Sequence, residues 1–294
     1  MILVFGVGGQ LGRSLLEESR LSGVPLIGHT RDQTDINDGD AVLRAIGVTR
    51  PALVVNAAAY TAVDRAESEA AAAEMVNAQG AAIVASVSAA ADIPMVQVST
   101  DYVFDGTKAG AYVESDPVAP IGAYGRSKAN GEAAVRQTNP RHIILRTSWL
   151  YGHFGQNFLK TVLRLADARS ELRIVADQRG CPTSTAELAR AILRVAHHMA
   201  GADVAYGTYH FGGTGETTWH GFASEIVNCQ ALFTGRRPIV TPIATADYPT
   251  AARRPANSVL DSSRFGLAFG YRAEPWQAAV RTAVHRLHSL EIAA

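Results

Sequence analysis

Five short apolar runs punctuate the first half of the chain, each separated from the next by a segment of helical length. Ile2-Leu3-Val4-Phe5 ends at Gly6, and Pro25-Leu26-Ile27-Gly28, Leu53-Val54-Val55-Asn56, Met95-Val96-Gln97-Val98-Ser99 and His142-Ile143-Ile144-Leu145-Arg146 follow. Runs that are continuous rather than alternating suit parallel strands covered on both faces. Between them, Leu11 to Leu21, Asp38 to Ile46 and the Ala-rich stretch Ala66 to Ala91 read as helices by propensity and apolar spacing. Met75, Val76, Ile83, Val84 and Val87 give that Ala-rich stretch side chains to pack with, so helices are expected there rather than low complexity. Strands alternating with helices predict an α/β fold with a doubly wound, mostly parallel sheet. In such sheets ligands bind beyond the carboxyl ends of the strands, so chemistry-bearing residues are expected just after each apolar run.

Near residue 150 the texture changes. Gly and Pro punctuate shorter segments such as Gln178-Arg179-Gly180-Cys181-Pro182-Thr183 and Gly212-Gly213-Thr214-Gly215. The expected division is a dinucleotide-binding domain over residues 1–148 and a smaller, irregular α/β lobe over 149–294, with some segments of the second half returning to the first domain. No internal repeat is visible. The 294 residues are 47% apolar and 18% charged, which suits a globular protein with a sizeable core. Lys plus Arg and Asp plus Glu both number 27, so no net field recruits nucleic acid or a membrane surface. Cys181 and Cys229 are too few for a disulfide framework. The N-terminal run lacks a basic leader and is cut by Gly6 and Gly8, so a signal peptide is not expected. No run of about 18 apolar residues stands out as a membrane span, and the cytoplasm is the default location.

Gly6, Gly9 and Gly12 form G-x-x-G-x-x-G between the first strand and the first helix, with Gln10 and Leu11 inside the turn. Small residues at a helix N-terminus let backbone N–H groups approach a pyrophosphate. In this strand–turn–helix context the loop predicts a Rossmann-like dinucleotide site. The tip of the second strand carries no acid to hold a ribose 2′-hydroxyl, and Arg31 is available for a 2′-phosphate. NADPH is therefore favoured over NADH, with a solvated surface charge as the competing reading of Arg31. Asp35 and Ile36 are placed to flank the adenine, with a turn-capping Asp as the competing reading. Ala57, Ala58, Ala59 and Tyr60 follow the third strand and leave room for a ligand, with Asn56 able to brace the backbone. Thr100 ends the fourth strand and can hydrogen-bond a carbonyl oxygen, or cap a turn.

Tyr124 and Lys128 lie four residues apart on a predicted helix, so phenol and ammonium share one face. A nearby cation favours the phenolate and lowers a phenol pKa, which would make Tyr124 a tuned general acid. The glycine turn, Thr100 and the Tyr124/Lys128 pair resemble, in order and spacing, the extended short-chain dehydrogenase/reductase superfamily. Longer strings narrow this: Asn56 to Glu67, Ser99 to Gly106, Arg146 to Gly152, Asp177 to Thr183 and Ala252 to Ser258 closely resemble the dTDP-4-dehydrorhamnose reductase family, nearly end to end.

The resemblance implies hydride transfer from NADPH or NADH to the C4 ketone of dTDP-4-dehydro-6-deoxy-L-mannose (dTDP-4-dehydrorhamnose), giving dTDP-L-rhamnose in the last step of its synthesis. It implies that Tyr124 gives the proton, that Lys128 holds the nicotinamide ribose, and that Thr100 binds the ketone oxygen. Asp101 and Trp149 are implied as sugar contacts, and Arg253 and Arg254 as clamps for the diphosphate. Some relatives dimerise through a metal held by carboxylates, one of them on the first helix. Ser14 stands near that place here, so a homodimer is possible within the family pattern but no metal is expected. A related 4-epimerase or dehydratase would share Tyr and Lys, but a dehydratase would carry an acidic pair beside the Thr, where this chain has Asp101-Tyr102. A non-catalytic regulatory subunit of reductase-like fold is the remaining alternative.

Overall fold

The computed structural model describes residues 1–199 and 204–292. The first half alternates strand and helix: β1 (Ile2–Phe5), α1 (Gln10–Ser22), β2 (Leu26–His29), α2 (Gly39–Thr49), β3 (Leu53–Asn56), α3 (Ala70–Glu74), α4 (Ala81–Ala90), β4 (Met95–Thr100), α5 (Ala123–Thr138) and β5 (His142–Thr147). The second half runs through β6 (Leu150–Tyr151), α6 (Phe158–Ala168), β7 (Glu171–Val175), β8 (Arg179–Gly180), β9 (Thr183–Ser184), α7 (Thr185–His198), β10 (Gly207–His210), β11 (Thr217–Thr218), α8 (Trp219–Thr234), β12 (Ile239–Ile243), β13 (Asn257–Ser258), α9 (Ser263–Phe269) and α10 (Trp276–Ile292).

All five apolar runs of the first half are strands. Among the described residues they form a parallel sheet of six with β10, in the order β10-β5-β4-β3-β1-β2. β1, β3 and most of β4 are buried, as their unbroken apolar character requires; β2 is an edge strand and only partly covered. One face of the sheet is closed by α2, α4 and α5. The other is closed by α1, α7 and α9, whose Leu188, Ile192, Phe265 and Phe269 join the core formed with Val4, Val55 and Leu145. A second core gathers Tyr151 of β6 with Leu159, Phe222, Ile226 and Val280 from α6, α8 and α10. Small sheets β12-β7, β11-β8-β13 and β6-β9 edge this region.

Two expectations need correction. The Ala-rich stretch is not uniform α-helix: a wide π-helical turn, Met75–Gly80, separates α3 from α4. The helical run 70–90, with mean hydropathy 1.2, is also long and apolar enough by length and composition to cross a membrane. Alanine supplies most of that apolar character, and the run packs against α2 and α5.

Candidate functional site

A cleft of about 980 Å³ runs along the carboxyl ends of the parallel strands. Its floor begins at the glycine turn. Gly6 has φ +89, and a Cβ there would come within 2.6 Å of the Ala58 backbone nitrogen. A Cβ at Gly12 would sit 2.4 Å from the Val7 Cα, so α1 can start this close to β1 only through glycine. Gly9 is the N-cap of α1 and offers no side chain to the first N–H groups. Those donors face the cleft with the positive end of the helix dipole behind them, a cradle suited to a pyrophosphate. Gly6, Gly9, Gln10, Leu11 and Gly12 all line it, so the residues present fit a dinucleotide.

Across β3, Asn56 accepts from the Ala58 backbone N–H at 3.2 Å and donates to Gln97 at 2.9 Å, holding open the turn in which Ala57, Ala58, Ala59 and Tyr60 line the cleft. Arg31, Asp35 and Ile36 line its outer end. Arg31 is exposed and pairs with Asp35 at 3.3 Å, and Asp35 also accepts from the Asn37 backbone N–H at 3.0 Å. Asp35 is therefore both a cleft residue and a turn cap, while Asp38 caps α2.

The inner end holds Thr100, Asp101, Tyr124, Lys128 and Trp149. Thr100 ends β4 and caps the following turn, accepting from the Tyr102 N–H at 3.2 Å and donating to Asp101 at 2.9 Å. The capping and functional readings of Thr100 thus share one hydroxyl. Asp101 is buried beside Thr100, whose hydroxyl it holds. Burial pushes its pKa up to about 6, against hydrogen bonds from Ser258 and Thr100.

Tyr124 and Lys128 project from α5 onto the same cleft, but the expected electrostatics are not found. Enclosure of the Tyr124 hydroxyl pushes its pKa up to about 12, with Thr100 pulling the other way. The Lys128 ammonium instead donates to the Val98 carbonyl at 2.7 Å. Burial draws its pKa down to about 8, opposed by Glu132 one turn along. Glu132 is itself buried in a fork with Arg146 of β5, at 2.8 and 2.7 Å, and accepts from Ser99 at 2.6 Å. This desolvated pair seats α5 on β4 and β5. Asn77, in the π turn, accepts from the Tyr60 N–H at 2.9 Å and donates to the Tyr60 carbonyl at 3.1 Å and Ser127 at 2.9 Å, tying the alanine turn to α5.

Arg253 and Arg254 do not line this cleft. Arg254 is paired with Asp64 at 2.7 Å, and Arg253 is exposed beside a small satellite cavity against Tyr102 and Tyr124. The motif containing them tucks against the loop after β3, where the Ala252 N–H and Arg254 both bond Asp64. Sequence reasoning missed Trp219, Phe158, Gly155 and Gln156, which line the cleft from the second half of the chain. Trp219 stacks on Trp149 with centroids 3.6 Å apart, a pairing distant in sequence that no local spacing marks.

A six-stranded parallel sheet, a glycine turn feeding α1, and Thr, Tyr and Lys in one cleft define a nicotinamide-dependent oxidoreductase of the short-chain dehydrogenase/reductase class. A family model, the RmlD substrate binding domain, matches residues 1–289, and the chain belongs to this family of dTDP-4-dehydrorhamnose reductases. It is 42% identical over 288 residues to a dTDP-4-dehydrorhamnose reductase of Sinorhizobium fredii, covering 97% of each chain. A dTDP-4-dehydrorhamnose reductase crystal structure from Clostridium acetobutylicum superposes with a TM-score of 0.91 at 37% identity, covering 98% of this chain and 99% of that one. Another, from Bacillus anthracis in complex with NADP, gives 0.90 at 35% identity over 97% and 98%.

Proposed function

We propose that the protein reduces the C4 ketone of dTDP-4-dehydrorhamnose to dTDP-L-rhamnose, the closing step of that nucleotide sugar's synthesis, with NADPH preferred to NADH. The observation that carries the reading is the convergence of Thr100, Tyr124 and Lys128 on one cleft with the glycine turn. When bound, the reduced nicotinamide supplies the hydride. Tyr124 gives its proton to the oxygen of the ketone as that oxygen gains charge. Its raised pKa keeps the phenol protonated in the empty enzyme, so the acid is loaded before substrate arrives. Thr100 orients the same oxygen by turning its hydroxyl onto the substrate and away from Asp101, to which it donates in the empty enzyme. Lys128 holds the nicotinamide ribose, and Arg31 at the outer rim meets the 2′-phosphate. Residues 1–148 chiefly bind the cofactor and 149–294 the sugar nucleotide. A cytoplasmic homodimer completes the reading.

The test is a coupled assay in which dTDP-4-dehydrorhamnose, generated in place, is mixed with the protein and NADPH or NADH. Loss of the reduced-nicotinamide absorbance with appearance of dTDP-L-rhamnose is expected. No consumption with either cofactor would sink the proposal. An epimerase would instead carry tightly held NAD through purification, visible in its near-ultraviolet spectrum.

A further inference from the structure

The string Asp177 to Thr183 contributes no residue to the cofactor half of the cleft, yet it is tied to the cleft at every step. Thr147, the last residue of β5, is in register with Thr100. Trp149 therefore leaves the sheet beside the hydroxyl assigned to the ketone oxygen. Its backbone is left-handed, with φ +48, a conformation a residue with a Cβ adopts only when its surroundings impose it. Those surroundings are the string. The Ser148 hydroxyl donates to the Cys181 carbonyl at 2.8 Å, and the Thr183 N–H donates to the Trp149 carbonyl at 3.2 Å. Gly180 lies against the indole, where a Cβ would come within 2.4 Å of Trp149 Cε2.

Trp219 then stacks on Trp149, its plane tilted by 8°. Its Nε1–H donates to Gln178 Oε1 at 3.2 Å, and the Gln178 amide donates to Thr245 at 3.0 Å. Asp177 accepts from both the N–H and the hydroxyl of Thr245, which locks the mount. Trp149 is thus fixed from its backbone, from Gly180 and from Trp219.

We propose that Trp219 is a positioning residue for substrate specificity, pressing Trp149 into the sugar half of the cleft as a rigid apolar wall against the C5-methyl side of a 6-deoxyhexose. The inference rests on the nucleotide-sugar reading given above. The C4 ketone is flanked by C3, which carries a hydroxyl, and by C5, which carries the methyl, and an apolar wall beside Thr100 suits the C5 side. A methyl loses nothing there, whereas a hydroxymethyl group would bury a hydroxyl without a partner. Discrimination of this kind is worth about tenfold to a hundredfold.

The experiment measures binding of dTDP-L-rhamnose, dTDP and NADPH to the intact enzyme and to Trp219→Ala, Trp219→Phe and Gly180→Ala. It is paired with KM and kcat for dTDP-4-dehydrorhamnose and with near-ultraviolet circular dichroism. In Trp219→Ala, affinity for dTDP-L-rhamnose should fall about fivefold or more, the scale of one aromatic stack. Affinities for dTDP and NADPH should stay within about twofold, and KM should rise more than kcat falls. Trp219→Phe, which keeps a ring on Trp149, should restore most of the loss. Gly180→Ala, which forces a methyl into the indole, should reproduce it and carries the test should Trp219→Ala fail to fold. The dichroism of the stacked indoles should vanish in Trp219→Ala and respond to dTDP-L-rhamnose but not to dTDP. Equal losses for dTDP and dTDP-L-rhamnose, or no loss, would overturn the inference. A parent enzyme that neither turns over dTDP-4-dehydrorhamnose nor distinguishes dTDP-L-rhamnose from dTDP would overturn the functional proposal itself.

Discussion

Tyr102 stands edge-on to Tyr124, with ring centroids 5.9 Å apart and planes at 78°. The Tyr124 ring is therefore held by an aromatic contact that does not involve its hydroxyl. Tyr124→Phe should keep the fold and leave the NADPH dissociation constant within about threefold, while kcat falls by roughly 10²–10⁴, the usual worth of a positioned proton donor. Stopped-flow or steady-state loss of nicotinamide absorbance, beside a fluorescence titration of cofactor, separates the two. Full turnover in the variant would remove Tyr124 from the mechanism.

The alkaline limb of activity belongs to Lys128 rather than to Tyr124. Burial draws the ammonium down to about 8, whereas the phenol lies near 12. As pH rises through about 8 the cation that holds the ribose is lost, so kcat/KM should decline from there upward. Stability should move the opposite way. Between about 8 and the ordinary lysine value the unfolded chain binds more protons than the folded one, so this group makes stability rise with pH. A kcat/KM profile flat to pH 10 would contradict the assignment.

Asp101 makes an opposite demand at acid pH. Its folded pKa, about 6, lies above its ordinary value of 3.8. Its contribution to stability is therefore complete below about 4 and is lost as pH rises through 6, because ionising the enclosed carboxyl is unfavourable. Asp101→Asn should raise the Tm at pH 7, by a free energy on the order of 2 kcal/mol, and change it little at pH 4. Thermal melts at the two pH values decide this; an equal effect at both would place the cause elsewhere.

Arg31 is 79% exposed along its side chain, so Arg31→Ala should leave the melt unchanged. If the guanidinium meets a 2′-phosphate, the variant should raise the KM for NADPH several-fold more than that for NADH, as expected for loss of one charge-assisted contact. Equal changes for the two cofactors would refute that contact.

What could be read from the chain was whatever local periodicity encodes. Leu53-Val54-Val55 is a strand because nothing polar interrupts it, and Gly6 and Gly12 announce a turn because no other side chain fits. The strand Gly207–His210 carried no such signature. It is short, and only its pairing with Ile143 to Arg146 makes it part of the sheet. Arg254 looked free to bind a diphosphate because its partner, Asp64, lies far back in the chain. Trp219 was invisible for the same reason: a ring becomes a cleft wall only once the second half folds over the first. The Tyr124 environment failed differently. Spacing put Lys128 on the right face, but the Val98 carbonyl competes for its protons, and enclosure of the phenol outweighs the charge one turn away.

The π turn at Met75–Gly80 sets the aim of its own side chains. A helix closing its hydrogen bonds one residue late has, in effect, a supernumerary residue. Removing any one residue from that turn would let the backbone relax to ordinary α geometry. The flanking α segments would stay near their present phase, because the wide turn already absorbs the extra residue, but side chains within it would be re-aimed by up to about 100°. Asn77 could then no longer face Tyr60 and Ser127 together. The chain holds its less regular helix because that extra residue keeps the nucleotide side of the cleft in step with the helix that delivers the proton.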